Sequence, residues 1–257
     1  MKKSIVWVVF LMLVTTAHAQ KKPLVGTAKS DILLMIHSTE GNNGCSVFYI
    51  PERKLYYTFY AGNSDYPLEI FNDKGKNIYS QPIGIDARGL WYNPKSKKLE
   101  GIAYGKGFFS IELTAEGYPL TPVYINQTVT FAGDQQVACF SPAHGEIYQY
   151  SEGVIYTWSR KKLKKKSAVT ITGLPESPEM INSTSLIYTG YKGYEFGLLN
   201  WDMKKIYLFD KSGKYTFAID LPGSAVTNDV FRFSYANDRV FLYNVDTRTW
   251  TGYPVFF

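Results

Sequence analysis

Gly89-Leu90-Trp91-Tyr92-Asn93-Pro94-Lys95-Ser96-Lys97-Lys98-Leu99-Glu100-Gly101-Ile102-Ala103-Tyr104 reads as two short strands around a tight turn. Apolar and aromatic residues fill both arms, and Asn-Pro followed by a short polar run is turn chemistry. The same arrangement recurs along the chain. Residues 47–50 lead into Pro51-Glu52-Arg53-Lys54 and then 55–59, and residues 137–140 meet Ser141-Pro142-Ala143-His144-Gly145 before 146–150. Residues 186–188 meet 189–193 before 194–199, and residues 230–235 meet Ala236-Asn237-Asp238 before 239–243. With Pro51, Pro94, Pro142, Gly190 and Asn237 as anchors, the spacings are 43, 48, 48 and 47 residues.

A second turn follows each anchor: Gly62-Asn63-Ser64-Asp65, Gly105-Lys106, Ser151-Glu152-Gly153, Trp201-Asp202 and Asp246-Thr247. In the first four units a third arrives, at Asp73-Lys74-Gly75, Glu116-Gly117, the lysine cluster at 160–166 and Lys211-Ser212-Gly213. Four strands joined by three hairpins, repeated every 40-odd residues, predict an all-β chain folded as a propeller of about five four-stranded blades. The fifth unit lacks its last strand, and residues 32–36 occupy the equivalent place at the other end. An N-terminal strand alongside residues 248–253 would complete that blade and remove an open sheet edge. A sandwich gives no reason for the missing strand. An outer-membrane barrel needs alternating strands of about 9–11 residues, and these runs are shorter and broken by turn prolines.

The hairpin at 89–99 resembles the inner hairpin of NHL-type and TolB-like β-propellers, which also run from small apolar residues through Asn/Asp-Pro and a polar turn to Leu-Tyr. The resemblance covers this unit well and the other four loosely, and it implies a fold, not an activity. The WD-repeat pattern and the Asp-box of sialidase-type propellers are absent. Secreted bacterial glutaminyl cyclases are five-bladed and of similar length, but their Gly- and Glu-containing active-site segments are not found here.

Outside the repeats, Lys2 and Lys3, an apolar run from Ile5 to Val14 and Ala17-His18-Ala19 form a secretory leader pattern with cleavage expected after Ala19. Ten apolar residues fall short of the roughly 20 needed to span a bilayer. The expectation is a leader over 1–19 and one propeller domain over 20–257, periplasmic or secreted, with no transmembrane segment in the mature chain. The chain carries 21 Tyr and 16 Phe, residues suited to half-buried pleated surfaces. Its formal charge of +6 is matched by the +6 of the 160–166 cluster alone. A single cluster does not make the extended basic face that nucleic acid requires, and its expected place is a solvated hairpin tip.

Catalytic and cofactor motifs are missing. His37 and His144 alone lie beyond the leader, no His-Glu-x-x-His, Gly-x-Ser-x-Gly or EF-hand run occurs, and no metal or cofactor is expected. Cys45 and Cys139 fall in non-adjacent units and are expected to be two free, buried thiols. The loops leading into each inner strand carry the candidate ligand-binding residues of a channel mouth: His37 and Glu40, with Asn42 and Asn43; Asp86 and Arg88; Asp134 and Gln135, with Gln136; Asn182; Asp229 and Arg232, with Asn228. The reading is an exported module that binds a small molecule, glycan or protein. Its alternatives are a hydrolase or lyase at that mouth, using Asp86, Arg88, His37 or Asp229, and carbohydrate recognition through rim aromatics.

Overall fold

The computed structural model describes residues 21–38, 43–175 and 177–257. The leader pattern over 1–19 and the candidates Glu40 and Asn42 lie outside them. Among the described residues twenty strands make up five antiparallel sheets of four. The closing strand β1 is Ile32–Met35. Blade 1 holds β2 (Asn43–Ile50), β3 (Leu55–Ala61), β4 (Pro67–Asn72) and β5 (Asn77–Pro82). Blade 2 holds β6 (Ala87–Asn93), β7 (Lys98–Ala103), β8 (Gly107–Ile111) and β9 (Val123–Asn126). Blade 3 follows with β10 (Cys139–Ser141), β11 (Glu146–Ser151), β12 (Val154–Ser159) and β13 (Lys164–Thr170). Blade 4 comprises β14 (Ile187–Tyr188), β15 (Phe196–Asn200), β16 (Lys205–Phe209) and β17 (Tyr215–Asp220). Blade 5 has β18 (Phe233–Ala236), β19 (Arg239–Asn244) and β20 (Thr249–Pro254), completed by β1.

The inner strands β2, β6, β10, β14 and β18 neighbour one another in chain order around a common axis. The protein is a five-bladed β-propeller. Strand β1 pairs with β20 in the expected place, with Ile32 opposite Gly252 and Leu34 opposite Trp250. Alternation does the sorting: Ile32 and Leu34 are buried while Leu33 and Met35 face out. Among the described residues the only helical element is a short turn, Pro178–Met180, and no helix is long and apolar enough to cross a membrane.

Aromatic rings fill the wedges between blades. In chain order the five junctions hold Tyr79 on Tyr118, Trp91 on Phe140, Tyr148 on Tyr188, Tyr191 on Phe256 and Phe241 on Tyr56, with centroids 4.7–5.6 Å apart. Rings at these separations add attraction beyond the apolar area they bury. Charge pairs reinforce two junctions, where Arg160 grips Glu100 and Lys211 reaches Glu146.

A circle of hydrogen bonds closes the axis where the loops lead into the inner strands, here the loop face. Leu90 N donates to Ser46 Oγ at 3.2 Å, Ala138 N to Arg88 O at 3.0 Å and Val137 N to Thr184 O at 2.7 Å. Ser183 N donates to Asp229 O and Arg232 N to Gly44 O, both at 2.7 Å, which completes the circuit through all five blades. Bulges at Gly44/Ser46 and Ala87/Leu90 shift the ladders of β2 and β6 here. Gly89 permits a close approach here: its φ is +108°, and a Cβ would lie 2.5 Å from Ala138 O.

The basic cluster sits, as expected, at the hairpin between β12 and β13 with its lysines exposed, while Arg160 and Lys166 also pair with Glu100 and Glu146. One expectation needs correction. Both cysteines are free, but only Cys45 is buried, Cys139 being half-buried beside the axis.

Candidate ligand-binding cavity

A cavity of ≈ 300 Å³ lies on the propeller axis, walled by all five inner strands. Its walls run from Ser46, Leu90 and Val137 to Pro51, Pro142 and Asn237, the first hairpin turns of the blades. Ser46, Leu90 and Val137 are buried, whereas Pro51, Pro142 and Asn237 are exposed. The cavity therefore opens on the face of these first turns, the turn face, and ends blind beneath the circle of hydrogen bonds.

One aromatic ring from each blade stands toward the open end: Tyr49, Tyr92, Phe140, Tyr188 and Tyr235. Each lies two residues before its hairpin anchor, and all five are half-buried. Each is braced from behind. Tyr49 packs on Tyr56, Phe140 on Trp91, Tyr188 on Tyr148, and Tyr235 edge-on to Phe256, while Tyr92 packs against the core between the first two blades. Burial holds the hydroxyls of Tyr49, Tyr92, Tyr188 and Tyr235 above the ordinary phenol range, so they are neutral hydrogen-bonding groups.

No charged side chain lines the cavity. The wall serines are already engaged: Ser46 Oγ accepts Leu90 N, and Ser234 Oγ accepts Val47 N at 2.8 Å while donating to Val47 O at 3.1 Å. The Tyr235 hydroxyl donates to Asp238 Oδ1 at 3.2 Å and that of Tyr188 is hydrogen-bonded with Ser141, so what remains for a visitor is aromatic surface and the hydroxyls of Tyr49 and Tyr92. Such a wall suits an uncharged, flat-faced molecule, because a buried charge would meet no partner there.

The candidates named from sequence lie on the loop face, and none of those described lines the axial cavity. The structure gathers them into two groups. Asp86 accepts Gly62 N at 2.8 Å and pairs with the Arg88 guanidinium, whose Nε donates to Gln135 Oε1 at 3.2 Å. That guanidinium is buried over the Tyr104 ring at 4.5 Å. Asp134 is exposed and shares a recess of ≈ 150 Å³ with Arg88. In the second group, Asn182 is fully buried, its Nδ2 donating to the carbonyls of Asn228 and Phe231 at 2.8 and 2.9 Å. Arg232 donates to Asn228 Oδ1 at 2.6 Å, and Asp229 is exposed beside it. His37 stands apart: its side chain is exposed, while its N–H and that of Ser38 donate to the buried Glu69 carboxylate at 3.0–3.1 Å. His144 is exposed in the first turn of blade 3. Among the described residues no three His, Cys, Asp or Glu side chains form a metal-binding group.

The aromatic rim was open to sequence reading through its constant offset. Its five positions repeat at the anchor spacings, but the signal is submerged in a chain with 21 Tyr and 16 Phe.

No protein-family model matches the chain, and no curated protein matches it. Among solved structures it is similar to the glutaminyl cyclase of Myxococcus xanthus, at 14% identity and a TM-score of 0.58. That alignment covers 92% of this chain and 97% of that one. A chain of the mitotic checkpoint complex aligns over 86% of this chain and 64% of its own, at 10% identity and a TM-score of 0.40. The likeness to the cyclase is one of fold, and it agrees with the five-bladed ring.

Proposed function

We propose that the protein is an exported binding module that takes an uncharged, flat-faced small molecule into the axial cavity from the turn face. The observation that carries this reading is the rim of five half-buried aromatic rings, one from each blade, around a pocket without charge. A volume of ≈ 300 Å³ is at the small end of ligand sites, room for about one or two rings. Export rests on the leader pattern over residues 1–19, and the NHL-type or TolB-like cast rests on the 89–99 hairpin.

Carbohydrate recognition is the second reading, favoured by the neutral hydroxyls of Tyr49 and Tyr92 among the rim rings. The test is a thermal-shift screen of the chain lacking residues 1–19 against neutral mono- and disaccharides and neutral aromatic alcohols. Hits are then titrated by the fluorescence of Trp91, which lines the cavity. A hit should lose at least about tenfold in affinity with Tyr92→Ala or Tyr188→Ala, as truncation of a central aromatic contact does. Saccharides alone as hits would favour the second reading. If no neutral compound binds, or both variants bind as the parent does, the reading is wrong.

A further inference from the structure

The basic cluster borders a second site, far from the axis in the wedge between blades 2 and 3. A groove of ≈ 510 Å³ runs there between the loop at 128–132 and the outer half of blade 3. Half-buried Val129, Phe131 and Leu163 form its floor above the buried Trp158, and Lys162, Lys164 and Lys165 form its rim.

Charge is the first pointer to an occupant. Of the six cations in the cluster, Arg160 and Lys166 are consumed by Glu100 and Glu146. Lys161, Lys162, Lys164 and Lys165 are exposed, and no carboxylate among the described residues lies within ion-pair distance of them. Lysines can guard an exposed sheet edge against pairing. That account would place them on every outer strand, yet β1, β5, β9 and β17 carry no lysine or arginine.

The backbone is the second pointer. Strand β13 is the outermost of its sheet, and among the described residues its only backbone partner along Lys164–Thr170 is β12. Its outer edge offers main-chain donors and acceptors to a strand laid beside it. The floor decides between polymers. The Tyr156 face is already covered by the Lys165 ammonium at 4.5 Å, and Trp158 is buried, so a sugar ring finds little open aromatic face. A planar bilayer does not enter a groove.

We propose that this groove binds an extended acidic peptide segment, an apolar side chain seated over Phe131 and Leu163 and its carboxylates meeting Lys162, Lys164 and Lys165. Main-chain pairing with β13 would fix the register, and the ammoniums would select the charge.

The experiment is fluorescence anisotropy on the chain lacking residues 1–19, with a labelled eight-residue peptide alternating Glu with Phe and Val. The Lys162→Glu/Lys165→Glu variant alters two exposed side chains, and its circular dichroism and melting temperature should match the parent. Expected are binding at low salt, weakening as salt screens the lysines, and at least about a tenfold loss in the variant. No binding, or equal binding by parent and variant, overturns the proposal. Equally tight binding of polygalacturonate or of phosphatidylglycerol vesicles also overturns it, since the patch would then hold any polyanion. The neutral-ligand site on the axis stands or falls separately.

Discussion

Glu100 of blade 2 and Arg160 of blade 3 are locked together across a wedge. The Glu100 side chain is fully buried and accepts Arg160 Nε at 2.9 Å, while Asn93 Nδ2 donates to both its oxygens at 3.0 Å and Ser96 Oγ to one at 2.9 Å. Lys211 meets Glu146 in the corresponding place between blades 3 and 4. A cation in the last hairpin turn of one blade thus seeks the carboxylate at the start of the second strand in the blade before it.

Removing Arg160 alone should leave Glu100 buried with its neutral partners only. Breaking a buried pair costs about 3–5 kcal/mol. The Arg160 side chain is 31% exposed, so Arg160→Met should fall at or below the lower end, about 2–3 kcal/mol. Urea unfolding measures it. The double variant Glu100→Gln/Arg160→Met should recover part of that loss, because no charge is then stranded.

Gly89 tests the circle that seals the loop face. Its positive φ and its approach to Ala138 O forbid a side chain on two separate grounds. Gly89→Ala should cost roughly 2–4 kcal/mol, through backbone strain and displacement of the Ala138 strand together. Gly84 separates the two causes, since its φ is +72° but a Cβ there would meet nothing within 4 Å. Gly84→Ala should cost only about 1–2 kcal/mol. Equal melting temperatures for the two variants would show that close approach at Gly89 contributes nothing.

The blades were legible because a hairpin is local: Asn93-Pro94-Lys95-Ser96 specifies its turn within a few residues, and five such turns at similar spacing specify a ring. Closure was legible too, through the strand missing after Tyr253 and the spare one at Ile32. The pairing of Glu100 with Arg160 was not, because their 60-residue separation carries no local pattern. Among the loop-face candidates, Asn182 and Arg88 have the polarity of ligand-binding residues, and the partners they meet within the fold, on neighbouring backbone and side chains, carry no local pattern either. The pairing of Arg160 and Lys166 was not legible either, since a run of cations gives no sign of which members meet a distant carboxylate.

Acid should weaken the junction between blades 3 and 4. Burial pushes the Glu146 carboxyl up, but hydrogen bonds from Lys166, Tyr148 and Lys211 outweigh it and hold the group down to about 2. A carboxyl held below its ordinary value of 4.5 stabilises the fold fully above that value and loses the contribution as pH falls toward about 2. Both lysines are nearly half exposed, so the stake is about 1–2 kcal/mol, less than the full shift would give. Glu146→Gln removes the titration but keeps the shape. Its melting temperature should lie below the parent's at pH 6, and the gap should close between pH 4.5 and 2. A gap that stays constant across that range would mean the lysines do not hold the carboxylate in solution.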